Sequence, residues 1–475
     1  MAAESVAPAH SGEPELRRVM GPKLLLLFIV GDILGTGIYA LTGQVAGEVG
    51  GAAWLPFLIA FAVATITAFS YLELVTKYPQ AAGAALYAHK AFGIHFVTFL
   101  VAFIVMCSGI TSASTASRAF ASNMALGFGW DLPSGGIVLI ALAFMLLVAL
   151  VNFRGVGESV KVNVVLTLIE LSGLLLVIMV GMYAIFGGNA DFSRVMMFET
   201  GEDKSAFLAV SAATTLAFFA MVGFEDSVNM AEETQDPARN FPRIMLTGLT
   251  ITGLIYVMVS IAAVALVPVG ELVDSDTPLV TVVERGAPGL PIDQILPFIS
   301  MFAVANSALI NMLMASRLIY GMAKQRVLPP VLGKVHPGRR TPWVAIIFTT
   351  AISLALITWV SLDSGSSVVG LLGGTTALLL LAVFTVVNVA VLILRREEPP
   401  PEAFRAPTAL PVIGGICCLF LVTPFTGRDP AQYTIAAVLV AVGIVLWLVT
   451  HLVNRRLGLH ELEDVEDLSS GGPVN

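Results

Sequence analysis

Twelve long apolar stretches occupy most of this 475-residue chain. A helix needs about 20 apolar residues to cross a lipid bilayer. The stretches lie at residues 24–47, 52–76, 96–123, 134–152, 160–186, 206–231, 243–268, 293–320, 343–361, 366–394, 407–425 and 432–452. Only 12% of all residues are charged, against about 25% in a typical soluble domain. The sequence therefore predicts an all-α polytopic membrane protein with twelve transmembrane helices.

Lysine and arginine set the expected orientation, because they are enriched in cytoplasmic loops. An even number of spans puts both termini on one side. With the N-terminus inside, twenty of the 25 basic residues fall in inner loops and tails, and four fall in outer loops. We expect a multi-pass protein of the cell (plasma or inner) membrane with two cytoplasmic tails, 1–22 and the acidic 456–475. The basic residues form no patch, so nucleic acid is not an expected partner.

Clusters that would indicate an enzyme or a channel are not evident. Cys107, Cys417 and Cys418 all lie in apolar segments without the spacing of a zinc or redox motif. The histidines and acids show no catalytic spacing, and no ion-filter motif is visible. We therefore expect no cofactor and no resident metal, and we consider a channel or a membrane enzyme only as the alternative class.

Three glycines and an acid interrupt the first apolar stretch, in the run Gly31-Asp32-Ile33-Leu34-Gly35-Thr36-Gly37. Hydrocarbon offers no hydrogen-bond partners, so non-helical backbone at membrane depth is tolerated only inside protein or beside a cavity. The run predicts a broken helix and, with it, a binding site. The alternative is that the glycines only allow close helix packing.

A second interruption falls in the sixth stretch, where Gly223 is followed by Glu225 and Asp226. The first and sixth stretches would open two five-helix halves, and paired interruptions of this kind indicate an inverted-repeat transporter. A broken helix presents N–H groups on one half and carbonyls on the other. The N–H groups favour a carboxylate and the carbonyls favour an ammonium, so the pair suits a zwitterion.

Four ordered motifs resemble the amino acid–polyamine–organocation (APC) superfamily, and the third stretch, with Arg118, is most similar to the cationic amino acid transporter branch and its bacterial relatives. The motifs are Gly31 to Tyr39, Tyr78 to Gly83 with Tyr87, Gly223 to Glu225 with the acids and prolines up to Pro242, and Ser316 to Lys324 with Leu328-Pro329 and Thr341-Pro342.

The resemblance implies the LeuT-type fold, in which helices 1 and 6 are discontinuous and two inverted repeats of five helices are followed by two more helices. Placed on this sequence, the first repeat spans 23–190, the second spans 206–395, and the last two helices span 407–455. The implied activity is secondary active amino-acid transport by alternating access. The state could be a monomer or a homodimer in membrane lipid.

The resemblance also implies a substrate site. The substrate carboxylate would meet Thr36 and the amides near Gly35 and Gly37. The ammonium would meet the carbonyls of Ile33, Phe219 and Val222. Phe219 would also act as an aromatic lid, and Ala220 would line the side-chain pocket.

Acids within the membrane are functional candidates, because each costs about 3 kcal/mol on insertion scales. We expect a structural role for Glu73, which lies near the inner end of its segment. Asp32, Glu170 and Glu225, together with Phe219, are the candidate coupling or gating residues. For Arg118 we expect a structural ion pair.

Glu170 departs from the family pattern, because sodium-independent relatives often carry a lysine at this place. The carboxylate could carry a proton, share one proton with Asp32, or help to hold a cation beside Asn306 and Ser307. We favour proton-coupled uptake, with an exchanger or a sodium-coupled carrier as alternatives. The sequence does not define which amino acid or amine is carried.

Overall fold

The computed structural model describes residues 20–80, 83–154, 159–200, 204–231, 233–339, 341–362 and 367–457. Residues 1–19 of the predicted N-terminal tail (1–22) and residues 458–475 of the predicted C-terminal tail (456–475) therefore lie outside the described residues. Within the described ranges the chain is α-helical, and its only β-type pairings are two isolated bridges.

Sixteen α-helices follow one another along the described chain. The first eight are α1 Pro22–Ile33, α2 Thr36–Val49, α3 Trp54–Lys77, α4 Gly83–Phe92, α5 His95–Gly127, α6 Ser134–Arg154, α7 Ser159–Phe186 and α8 Ala206–Ala220. The second eight are α9 Pro237–Leu266, α10 Val269–Asp274, α11 Pro278–Gly286, α12 Ile292–Lys324, α13 Trp343–Leu362, α14 Val368–Leu394, α15 Ala409–Val422 and α16 Pro430–Leu457.

Ten spans of the described chain are long and apolar enough to cross a membrane, with α1 and α2 counted together as one. Two shorter apolar helices, α8 and α15, fall in the sixth and eleventh predicted stretches. The structure thus supports a polytopic all-α membrane protein, and the count of twelve spans stays a prediction.

The surface of the helix bundle is apolar where lipid would be expected. On α6, Leu139 is 68% exposed and Leu146 is 54% exposed, although both belong to a continuous apolar helix. Exposed apolar faces of this extent indicate contact with a membrane rather than with water.

α5 and α14 occupy the centre of the bundle. α5 packs against α12, α14 and α6, and α14 also packs against α15 and α8. The interrupted first segment lies against the second half of the chain, because α1 contacts α9 and α2 contacts α8; α1 also packs against α7 of the first half. This packing brings the two predicted interruptions together.

Three short helices had no counterpart among the predicted spans. α4 lies between the second and third predicted spans, and α10 and α11 lie between the seventh and the eighth. α11 buries Leu279, Val282 and Val283 against its neighbours, so tertiary contacts rather than length stabilise it.

Candidate functional site

The first segment is interrupted at the place where the glycine run predicts a break. α1 ends at Ile33, Leu34 and Gly35 are non-helical, and α2 begins at Thr36. No side chain caps the N-terminus of α2. The free N–H groups of α2 and the free carbonyls of α1 therefore meet at one point, with partial charges of opposite sign.

Close backbone approaches explain why this run is rich in glycine. A Cβ on Gly31 would lie 1.8 Å from Thr167 Oγ1, and one on Gly37 would lie 2.5 Å from the Cα of Ala220. Both distances are shorter than any real contact allows, so a side chain at either position would push α7 or α8 away from the break.

The second interruption follows α8. The helix ends at Ala220, the chain turns through Gly223 at φ +125°, and a short 3₁₀ helix runs from Asp226 to Met230. A Cβ on Gly223 would lie 2.6 Å from the backbone oxygen of Asp32. The two breaks are thus in direct contact. The Gly223 N–H donates to Glu225 Oε2 at 2.8 Å, so this carboxylate pairs with the turn.

The predicted substrate residues surround this contact. Thr36 is buried, and its Oγ1 has no hydrogen-bond partner among the described residues. The Ile33 carbonyl accepts a hydrogen bond of 2.6 Å from the Tyr256 hydroxyl. Because a carbonyl oxygen has two lone pairs, it retains one for a further donor. The ring of Phe219 is buried and faces Gly373 of α14, where a Cβ would lie 3.2 Å away.

Two of the predicted coupling acids lie on helices that pack together at the first break, Asp32 on α1 and Glu170 on α7. Glu170 is fully buried, and neither of its carboxylate oxygens has a partner in the part of the chain that the structure describes. Its backbone carbonyl accepts from the Tyr39 hydroxyl at 2.9 Å. Asp32 is within electrostatic range of Glu170 and Glu225, so the structure brings all three acids to one region.

Of the two suggested cation ligands on α12, the structure places Ser307 at the first break. Ser307 Oγ lies 2.9 Å from the position that a Cβ on Gly35 would take, so it borders the break. Asn306 is buried on the same helix.

Two residues at the site were missed by the sequence reasoning. Tyr39 and Tyr256 both bond to backbone carbonyls at or near the break, and both lie within electrostatic range of Glu170. A tyrosine in the middle of an apolar helix was the only available signal, because its hydroxyl needs a partner there.

Two other charged groups have the structural settings that were expected of them. Arg395 binds Glu73 through two hydrogen bonds of 2.7 and 2.6 Å, and both side chains are nearly buried. Arg118 lies 3.7 Å from Asp276, whose side chain is 67% exposed.

A cavity of about 320 Å³ lies beside the C-terminal half of α2. Its walls also include Thr215 and Leu216 of α8, Gly370 of α14 and Arg428 from the loop before α16. Thr215 precedes Phe219 by one helical turn, roughly 6 Å of rise. The cavity therefore lies beside the helix that carries Phe219, one turn before that residue.

The amino acid permease family profile matches residues 22–449, which include both breaks, the acids and the cavity. This chain belongs to the amino acid permease family. The permease is accordingly a member of a transporter family rather than an enzyme, and the resemblance to the APC superfamily is confirmed.

Similar proteins include transporters with different named substrates. The permease is 27% identical over 438 residues to the branched-chain amino acid permease BcaP of Bacillus subtilis, covering 88% of this chain and 90% of the relative. It is 30% identical over 357 residues to cationic amino acid transporter 9 of Arabidopsis thaliana, covering 70% of this chain and 60% of that longer relative. It is 27% identical over 390 residues to the methylthioribose transporter of Bacillus subtilis, covering 76% and 79% of the two chains.

Proposed function

We propose that this permease is a secondary active amino-acid transporter of the cell membrane that works by alternating access and couples uptake to protons. Its two repeats, 23–190 and 206–395, would take the LeuT-type arrangement, with both termini in the cytoplasm. An exchanger and a sodium-coupled carrier are the alternatives within the same class.

The direct contact between the two helix breaks is the observation that carries this proposal. Gly37 lies against Ala220, and Gly223 lies against the Asp32 carbonyl, so both sets of free backbone groups face one small region. Amide N–H groups suit a carboxylate, and so does the Thr36 hydroxyl, which has no hydrogen-bond partner among the described residues. Carbonyl oxygens suit an ammonium, and an α-amino acid carries both groups.

The proton assignment rests on Glu170 and Asp32. Each has at least one buried carboxylate oxygen without a partner among the described residues, and the two act on each other electrostatically. Two buried like charges without a cation are strongly disfavoured. A proton or a metal cation would therefore accompany the carboxylates, and would leave when one face of the transporter opens to water.

Transport by purified protein in proteoliposomes tests the class of function. Labelled L-leucine, L-arginine and methylthioribose, chosen from the names of the relatives, would each be tested for counterflow. Saturable exchange of L-leucine or L-arginine is the expected result. If a wider panel of amino acids and amines also gave no exchange, the proposed function would be wrong.

The coupling ion is tested with imposed gradients. We expect an inward proton gradient to drive uptake in sodium-free buffer, and a protonophore to abolish that uptake. Glu170→Gln should remove the gradient drive while counterflow persists. Glu199→Gln, at an exposed site, is the matched control and should retain both. A Glu170→Gln variant with full pH dependence and full gradient drive would exclude the proton role of Glu170.

A further inference from the structure

The cavity beside α2 contains a buried cation with unusual surroundings. The Arg428 side chain donates to the Gly374 carbonyl at 2.7 Å, to Gln432 Oε1 at 2.8 Å and to the Leu421 carbonyl at 3.1 Å. None of these acceptors carries a charge. The Nε of Arg428 has no hydrogen-bond partner among the described residues.

Arg428 remains a cation at neutral pH in spite of this burial. Removal from water lowers the pKa of its guanidinium to about 10, which is still well above physiological pH. A guanidinium offers five N–H donors. The bonds to Gly374, Gln432 and Leu421 use three of them, and the Tyr433 side chain also hydrogen bonds to this group, so the Nε–H is the donor left for a ligand. A hydrogen bond between a guanidinium and a carboxylate is about twice as strong as one between neutral groups.

Two glutamines position polar groups on the same wall. A Cβ on Gly370 would lie 2.2 Å from Gln44 Oε1, and a Cβ on Gly374 would lie 2.2 Å from Gln432 Nε2. The missing side chains on α14 therefore make room for both amides. Gln44 also donates to Ser367 Oγ at 2.5 Å. The wall is a fixed polar surface rather than a loose gap between helices.

Acidic groups line the cavity together with the cation. Glu48 pairs with Lys204 at 2.6 Å, and Asp429 Oδ1 accepts from the Ala431 N–H at 2.9 Å. The second oxygen of each carboxylate can accept another donor. One wall thus suits an anion and other lining groups suit an ammonium. A volume of about 320 Å³ is at the lower end of the range of small-molecule pockets.

We propose that this cavity is a second binding site for an α-amino acid, in which Arg428 holds the carboxylate before the ligand passes Phe219. This inference rests on the proposed transport function and adds a site and a residue that the two helix breaks do not supply. The position of Thr215 and Gly370 in its wall makes it the approach to the Phe219 ring.

Protection of an engineered thiol tests the site directly. Leu216→Cys places a thiol on a partly exposed position of the wall, in a Cys417→Ser background. Thr36→Val is added to weaken the inner site, because it removes the buried hydroxyl proposed to bind the carboxylate there and keeps the shape of the side chain. Reaction with a small methanethiosulfonate reagent is then timed in the presence of L-leucine, L-arginine or the amide of each.

The free acids are expected to slow the reaction, and the amides should need about a tenfold higher concentration, because they lack the carboxylate. Equal protection by acids and amides, or no protection by either amino acid, would overturn the proposal. This comparison leaves Arg428 intact, so it does not depend on whether an Arg428 variant folds. Adding Arg428→Lys should retain much of the preference for the acids, whereas adding Arg428→Gln should remove it.

Counterflow by the protein without Thr36→Val separates the two possible failures. Exchange of label without selective protection would mean that the transport function stands and the second site does not exist. Selective protection without exchange of any label would mean that the cavity binds amino acids but the transport function is wrong.

Discussion

The buried ion pair between Glu73 and Arg395 gives the most quantitative prediction. Arg395 Nε donates to Glu73 Oε1 at 2.7 Å, and Nη2 donates to Oε2 at 2.6 Å. The Ala406 N–H adds a third bond to Oε2 at 2.9 Å. The pair therefore joins α3, the end of α14 and the segment before α15.

Removing one partner of a buried pair leaves the other charge uncompensated and costs about 3–5 kcal/mol. Glu73→Gln keeps a neutral acceptor for the guanidinium, so we expect a loss of about 3 kcal/mol, at the lower end of that range. Replacing both partners by methionine removes both charges, and it should cost less than Glu73→Gln alone, because no charge is left unpaired.

A second ion pair in the same region provides the matched control. Lys77 lies 3.3 Å from Glu397, whose side chain is 57% exposed. Exposed pairs contribute at most about 1 kcal/mol, so Glu397→Gln should change stability little. Equilibrium unfolding of each variant in mixed detergent and sodium dodecyl sulfate gives the free energies. Losses of less than about 1 kcal/mol for both Glu73→Gln and Glu397→Gln would refute the reasoning.

Two further predictions concern a turn and a surface contact. Gly223→Ala should strongly lower expression and transport, because φ at this position is +125° and the new Cβ would lie 2.6 Å from the Asp32 backbone oxygen. Gly270→Ala is the control and should change neither, because the space around Gly270 is open. Equal losses in the two variants would contradict this prediction. The Tyr78 hydroxyl donates to Glu397 and holds the pKa of that carboxyl below its usual range. A carboxyl whose pKa is lowered on folding stabilises the fold at pH values above its ordinary range, and this contribution is lost as the pH falls through the lowered pKa. The unfolding midpoints of Tyr78→Phe and the unchanged protein should therefore differ at pH 7, and the difference should shrink as the pH is lowered into the acid range; a difference that does not change with pH would contradict it.

Local signals in the sequence were sufficient for the long spans and for the first break. The length of the apolar stretches predicted the bounds of α3 and α14 closely. The glycines around Gly35 predicted where α1 ends, because the effect of glycine on helical hydrogen bonding is confined to a few neighbouring residues. The second break was also predicted, within the sixth stretch at 206–231, but the exact end of the helix was not. α8 stops at Ala220, because the turn at Gly223 depends on the opposing Asp32 carbonyl.

The parts that the sequence did not reveal depend on contacts between distant residues. Tyr256 belongs to the site only because α9 packs against α1. Arg428 was counted as one of four basic residues in outer loops, and nothing in its sequence neighbours distinguishes it from the others. Its environment forms only in the folded protein, where the missing side chain of Gly374 leaves room for the Gln432 amide that accepts from Arg428.

The hydrogen bond from Tyr256 to the Ile33 carbonyl has a consequence for biosynthesis. The two residues are 223 positions apart in the chain. At about 5–20 residues per second, the ribosome makes Tyr256 roughly 10–45 s after Ile33. During that interval the broken first segment must sit in or beside the bilayer with its free carbonyl unpaired. We therefore expect the insertion machinery or a chaperone to shelter the first helix until the ninth arrives, and a chain stopped in between to be removed by quality control.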